Sequence, residues 1–260
     1  MKIYTKETLI EELRKIRDSG FILNARLGNH GGIGNTLEDL LEIEENNLPI
    51  PNAAEWELKT QRLGTTSLTT LFHVEPSPQA LKFVPTVLLP KYGWRHTEAG
   101  LKYQETEMSF RQTIHGLSTS DRGFKVSIDE KEEKVLISFD SSMVAVKHTN
   151  WLNSVKERIG LSELNPQPYW GFADLAAKAG TKLHNCFYVQ AKVKREKGNE
   201  FYHYQKILKL SRFSFEKFLQ GLREGFVLID FDARTGHNHG TKFRLRQNRL
   251  PDLYEHAEEI

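Results

Sequence analysis

A single cysteine, Cys186, stands among 260 residues, which leaves no internal disulfide framework and no thiolate zinc cluster. No apolar run approaches the roughly 20 residues that a membrane-spanning helix needs. The opening Met-Lys-Ile-Tyr-Thr-Lys-Glu leads into an amphipathic pattern rather than the apolar core of a secretory signal. A cytoplasmic protein with no membrane partner is expected. An excess of charge is missing too, because 36 Lys plus Arg face 34 Asp plus Glu, for a net charge of +2. A nucleic-acid partner is thus permitted but not demanded, and any attraction for phosphate must come from where the cations are placed. There is no internal repeat, low-complexity tract or compositional linker. What is present, 38% apolar and 27% charged residues, is the profile of an ordinary globular chain. Its length suits one large domain, or two lobes sharing a core.

Local patterns predict a mixed α/β fold. Residues 6–19 read as a helix with Leu9, Ile10, Leu13 and Ile16 on one stripe, Thr5 or Thr8 capping its start and Gly20 its stop. The run Gly28-Asn29-His30-Gly31-Gly32-Ile33-Gly34 is too glycine-rich for a regular element. It reads as a loop entering a second helix that starts at Asn35 or Thr36 and buries Leu37, Leu40 and Leu41. The loop lacks the Gly-Lys-[Ser/Thr] ending of a nucleotide-binding loop. A breaker-rich stretch through Pro49 and Pro51 then precedes a strand over 55–60, with a further element over 67–72. Downstream, 123–129 with 134–140, and 186–195 with 200–210, alternate as hairpins, the second turning at Lys197-Gly198-Asn199. Helices are expected over 151–159, over 172–178 with Gly180 at the end, and over 214–224. Strands are expected over 226–231 and, last, 241–246.

The strand at 55–60 carries the chemistry. Side chains alternate along a strand, so Glu55, Glu57 and Lys59 share one face while Trp56 and Leu58 anchor the other in the core. Two carboxylates beside an ammonium are the kit that phosphodiester hydrolysis requires. Carboxylate oxygens hold a hard divalent cation, the cation acidifies water and offsets charge on the phosphate, and the lysine orients the attacking water. The same spacing also fits the solvated face of an edge strand.

Spacing alone leaves both readings open, and a family resemblance favours the first. Gly32-Ile33-Gly34, then Thr36-Leu37-Glu38-Asp39-Leu40-Leu41-Glu42, then Glu44-Glu45-Asn46-Asn47-Leu48, then Glu57-Leu58-Lys59-Thr60 resemble the MvaI/BcnI restriction endonucleases. More distantly they resemble the mismatch-repair nicking enzyme MutH. The likeness continues in Ser67-Leu68-Thr69-Thr70-Leu71-Phe72 and in His237-Asn238-His239-Gly240-Thr241-Lys242-Phe243-Arg244. It implies the PD-(D/E)XK nuclease fold, a mixed central sheet flanked by helices, with a catalytic lobe around 1–75 and a recognition segment around 225–250. It implies Glu57 as the second acidic metal ligand, Lys59 as the catalytic lysine and Glu38 as a supporting helix glutamate. The implied cofactor is Mg2+, for which Mn2+ can substitute. The implied partner is double-stranded DNA, cut by a monomer at a short G·C-rich site to leave a 5′-phosphate, with a cognate DNA methyltransferase as a companion.

Position 52 departs from the family pattern, since Asn52 stands where the first acidic ligand is expected. An amide oxygen can ligate Mg2+ but brings no charge. Asn52 is then a weaker ligand with Glu55 supplying the missing charge, the mark of a slow or inactive site, or an engineered change. A MutH-like nicking enzyme and a DNA-binding module with a weakened centre are the alternatives.

The most basic stretch runs from Asp232 to Arg246. On a strand, Lys242, Arg244 and Arg246 share a face backed by Phe243 and Leu245. Arginine forks match guanine O6 and N7, and the family likeness makes this the reader of the target. Arg234, His237, His239, Lys242, Arg244 and Arg246 are the expected DNA contacts. Lys192, Lys194 and Arg195 at a hairpin tip, and the loop of Lys91, Tyr92, Trp94 and Arg95, have weaker claims, Trp94 reading better as core. His184 and Cys186 read as packing residues.

Overall fold

The computed structural model describes residues 4–26, 32–43 and 55–260. Asn52 and most of the glycine-rich loop lie outside them. The described chain is mixed α/β, as expected, and forms two compact units assembled from separated stretches of sequence. One comprises Met1–Thr69, Ala177–Lys217 and Arg246–Ile260; the other comprises Thr70–Ala176 and Phe218–Leu245. Of the stretch expected to form a catalytic lobe, around 1–75, the part up to Thr69 shares its unit with two later segments, and the remainder falls in the other unit.

In the first unit a five-stranded sheet runs in the order Ile22–Leu23, Asn199–Phe213, Asn185–Glu196, Trp56–Arg62, with Tyr254–Glu259 also pairing to Asn199–Phe213. Trp56–Arg62 and Asn185–Glu196 are parallel, and the other pairs are antiparallel. The hairpin at its centre turns through Lys197 and Gly198, whose φ values of 50° and 81° are those of a type I′ turn. The helix Lys6–Asp18 starts on a capping box in which Thr5 and Thr8 bond each other's backbone, so both expected caps act together. Its buried Leu9, Leu13 and Ile16 join Ile33, Leu37, Trp56, Leu58 and Phe187 in one core.

Two helices depart from expectation. The second begins at Gly32 and runs to Leu40, taking in three residues assigned to the loop. A Cβ at position 32 would lie 2.8 Å from the Tyr202 hydroxyl and 2.9 Å from Asn24 Nδ2, so glycine here allows a close approach rather than a turn. The helix expected to stop near Gly180 instead spans Phe172–Leu183. Leu175, Ala179 and Leu183 are all buried, a stripe at every fourth position. Burying Leu183 outweighs the roughly 1 kcal/mol cost of an interior glycine.

The second unit holds a six-stranded sheet in the order Thr69–His73, Lys242–Leu245, Val227–Arg234, Met108–Ile114, Trp94–Arg95, with His237–Asn238 folded onto Val227–Arg234. A three-stranded sheet joins Arg122–Asp129, Lys134–Val144 and Tyr169–Gly171. Phe243 is fully buried, stacking on Phe72 at 5.1 Å and meeting the edge of Trp170 at 5.3 Å. The expected final strand ends at Leu245 and is not the last, because Tyr254–Glu259 follows it in the first unit. Arg246 follows directly after Lys242–Leu245 rather than lying within it.

Candidate active site

Among the described residues the strand Trp56–Arg62 is the last in its sheet, with Trp56 and Leu58 in the helical core and Glu57, Lys59 and Gln61 on the opposite face. Glu57 is 2% exposed. Its Oε1 lies 2.7 Å from Lys59 Nζ, the neighbour two residues on. The predicted pairing of a carboxylate and an ammonium on one strand face is thus present.

Glu55 does not join them through strand alternation. The strand starts one residue later than predicted, and Glu55 is an exposed turn residue. Asn52 lies outside the described residues. Glu38 is half-buried on the helix Gly32–Leu40, which packs through Ile33 and Leu37 with Trp56 and Leu58 on the other side of the strand.

A residue that local patterns did not reveal completes the cluster. Lys182, on the last turn of the helix Phe172–Leu183, places Nζ 3.0 Å from Glu57 Oε2. The following strand runs parallel to Trp56–Arg62 with Glu57 opposite Cys186, and this register brings the helix end back to the carboxylate. The extension past Gly180 is what delivers Lys182, and the buried positions 175, 179 and 183 were the signal that could have found it. Although Lys182 is within ion-pair range, Oε2 accepts no hydrogen bond.

Polar groups continue along this sheet face. Gln61 Oε1 accepts from the Asn248 N–H at 3.2 Å, and Gln190 Nε2 donates to Asn248 Oδ1 at 2.8 Å. Gln61 Nε2 is buried without a hydrogen-bond partner, as expected of a group that bonds to ordered water. Cys186 is fully buried and burial pushes its thiol well above the usual range, which suits its expected packing role and not a nucleophile.

The donors can be tested against a divalent cation. Mg2+ binds through one or two carboxylates while keeping several waters. Glu57 Oε2 is a buried carboxylate oxygen without a hydrogen bond, and the chemistry of that atom fits one ligand of a hard ion. Among the described residues no group of three His, Cys, Asp or Glu converges, so these residues do not form an all-protein cage.

In the second unit the expected DNA contacts lie on the polar face of the six-stranded sheet, and acids pair with most of them. Arg244 Nη1 is 3.1 Å from Asp230 Oδ2, while Asp230 Oδ1 accepts from Thr113 Oγ1 at 2.8 Å. Asp232 lies 2.8 Å from Arg111 and 3.6 Å from Lys242. Arg234 reaches Glu107 at 3.1 Å and lies over the Tyr103 ring at 4.6 Å. His237 and His239 are exposed, their rings edge to face at 4.2 Å. Such pairing fixes guanidinium orientation while cancelling much of the long-range field. Arg111, Thr113 and the acidic partners went unnoticed in sequence because they come from neighbouring strands.

Among the weaker claims, Lys194 pairs with Glu196 and Arg195 with Glu200 at the hairpin. Trp94 is half-buried, 5.7 Å from the Phe110 ring and 3.8 Å from the Arg122 guanidinium.

No match to a curated protein was found. Among solved structures, that of the restriction endonuclease MvaI with its cognate DNA substrate superposes with a TM-score of 0.77 at 24% identity, covering 98% of this chain and 99% of that one. MvaI in the absence of DNA gives 0.54 at 24% identity, with 100% of each chain covered. These likenesses establish an MvaI-like restriction endonuclease fold. The family model of the MvaI/BcnI restriction endonucleases matches residues 10–254, and the chain therefore belongs to that family.

Proposed function

We propose that this protein is a Mg2+-dependent endonuclease that hydrolyses double-stranded DNA at a short G·C-rich site and leaves a 5′-phosphate. The observation that carries the reading is the buried Glu57 carboxylate held against Lys59 at 2.7 Å on one strand face. A cation bound there supplies Lewis-acid charge to the phosphate and makes water more acidic. Glu57 would hold it, with Asn52 and Glu55 as further oxygen donors and Glu38 as the supporting carboxylate. Lys59 orients the attacking water and adds positive charge where the phosphate becomes more negative. Trp56 and Leu58 lock the strand that carries both groups, so their separation is set before substrate arrives.

The solved relative described as a cognate DNA substrate complex supports DNA as the substrate. Cutting both strands as a monomer requires two successive nicks with reorientation between them. Arg234, His237, His239, Lys242 and Arg244 supply the recognition, with Arg246 a phosphate contact outside the strand. Arg244→Ala is expected to weaken binding to the target duplex by about 1–3 kcal/mol and to leave random duplex nearly unchanged. Fluorescence anisotropy on both duplexes checks it, and an equal loss on both would reduce Arg244 to a backbone contact.

Plasmid incubation with Mg2+ or Mn2+, followed by sequencing of the fragment ends, tests the reading as a whole. Linear product with a common end sequence is expected, formed faster by Asn52→Asp because a carboxylate binds the cation more strongly than an amide. Nicked circles that never become linear would instead indicate a MutH-like enzyme. Cleavage by Asn52→Asp alone would indicate a DNA-binding module with a weakened centre.

A further inference from the structure

We infer that Arg111 reads a guanine of the DNA target, with Asp232 holding its guanidinium in place for that contact. The inference deepens the proposed function and rests on the polar face of the six-stranded sheet being the DNA reader.

Strand register puts Arg111 on that face. It lies directly opposite Asp232, while Asp230 lies opposite both Thr113 and Lys242. Opposed residues of antiparallel strands share a face. The side chains of Lys242, Arg244 and Arg234 are 19%, 27% and 33% exposed, whereas that of Arg111 is 61% exposed. A side chain that reaches base edges in a major groove about 8.5 Å deep must stand clear of its neighbours. Of these cations Arg111 does so most.

Which nitrogen the acid holds matters as much as exposure. Asp232 Oδ1 lies 2.8 Å from Arg111 Nε, the guanidinium nitrogen nearest the stem. The two terminal nitrogens donate no hydrogen bond among the described residues. They are the parallel donors that match guanine O6 and N7. Arg244 and Arg234 are committed differently, each spending Nη1 on an acid, Asp230 in one case and Glu107 in the other. The second oxygen of Asp232 lies 3.6 Å from Lys242, so cations on both neighbouring strands steady the carboxylate. Fixing a long exposed side chain on binding costs entropy, and Asp232 lowers that cost beforehand. The paired acid also cancels much of the field that would draw a phosphate, while the fork's hydrogen bonds remain. That combination favours a base edge over the backbone.

The test compares binding of two duplexes by fluorescence anisotropy in EDTA: the target defined by its fragment ends, and a random sequence. Arg111→Ala is expected to bind the target about tenfold or more weakly and the random duplex as the parent does. Arg111→Lys keeps the charge but has no fork and should lose nearly as much. Each target guanine is then replaced in turn by 7-deazaguanine, which pairs normally but has no N7. At one guanine the parent should lose affinity while Arg111→Ala loses nothing further. Asp232→Asn should weaken target binding less than Arg111→Ala does, and should tighten random binding because a negative charge is gone. Melting curves confirm that each variant is folded. An equal loss on both duplexes would make Arg111 a phosphate contact, and no loss on either would leave it a surface ion pair. Either result overturns the inference, as do additive losses at every guanine. If Arg244→Ala loses target binding and Arg111→Ala does not, this inference alone falls. If the parent binds target no better than random duplex, the reading beneath it falls as well.

Discussion

Lys59→Ala is expected to slow plasmid cleavage by about 10²–10³-fold or more, the loss seen when one preorganised donor to a developing charge is removed. Lys59 is the only cation carried by the same strand face as Glu57 among the described residues, held 2.7 Å from its Oε1. On the proposed mechanism its loss removes positive charge where the phosphate gains negative charge, and removes the group that orients water. Substrate binding makes less use of it, since the expected base contacts lie on another sheet. The effect should therefore appear in the single-turnover cleavage rate, with target affinity changed by less than about tenfold. Lys59→Arg should not restore the rate, because a planar guanidinium is larger and aims its donors differently. Cleavage by Lys59→Ala at the parent rate would show that the chemistry lies elsewhere.

The second large effect concerns stability. Glu57→Gln is expected to destabilise the protein by about 3 kcal/mol, near the lower end for a broken buried ion pair because both lysines retain some solvent contact. The amide leaves two ammoniums facing one another with no negative charge between them. Removing one of them should then help: Glu57→Gln with Lys182→Met is expected to be more stable than Glu57→Gln alone. Lys182→Met in the parent background has the opposite sign, since it removes one partner of a paired carboxylate. Urea denaturation of the four proteins gives the cycle directly. A Glu57→Gln loss below about 1 kcal/mol, with no recovery in the double variant, would mean that the carboxylate is better solvated than its 2% exposure indicates.

Helix and strand positions followed the chain's local signals wherever burial and periodicity agreed. The predicted pair at 186–195 and 200–210 is the hairpin Asn185–Glu196 and Asn199–Phe213. Its turn was legible because Gly198 suits the positive φ it adopts, with Lys197 drawn into the same region beside it. Lys6–Asp18 was legible from its apolar stripe and threonine caps. The glycine signals misled: Gly32 and Gly180 were read as breakers, yet both lie inside helices. Each stays helical because a neighbour is buried, Ile33 in one and Leu183 in the other. The strand Tyr254–Glu259 carries no apolar alternation, and only pairing with Asn199–Phe213 reveals it.

No helix among the described residues is long and apolar enough to cross a membrane, in keeping with the lack of long apolar runs. Taken alone, the order of residues determined the α/β class, the family, and the placing of Glu57 and Lys59 on one side of a strand. Each depends on spacing along the chain, and a strand's alternation carries two residues to the same face wherever the strand sits. Only the tertiary structure decided that Lys182 closes the other side of Glu57, and that Asp230, Asp232 and Glu107 hold the basic residues of the second unit. Those pairings arise from strand register and helix length. Both are set by packing between segments far apart in the chain, which no local pattern encodes.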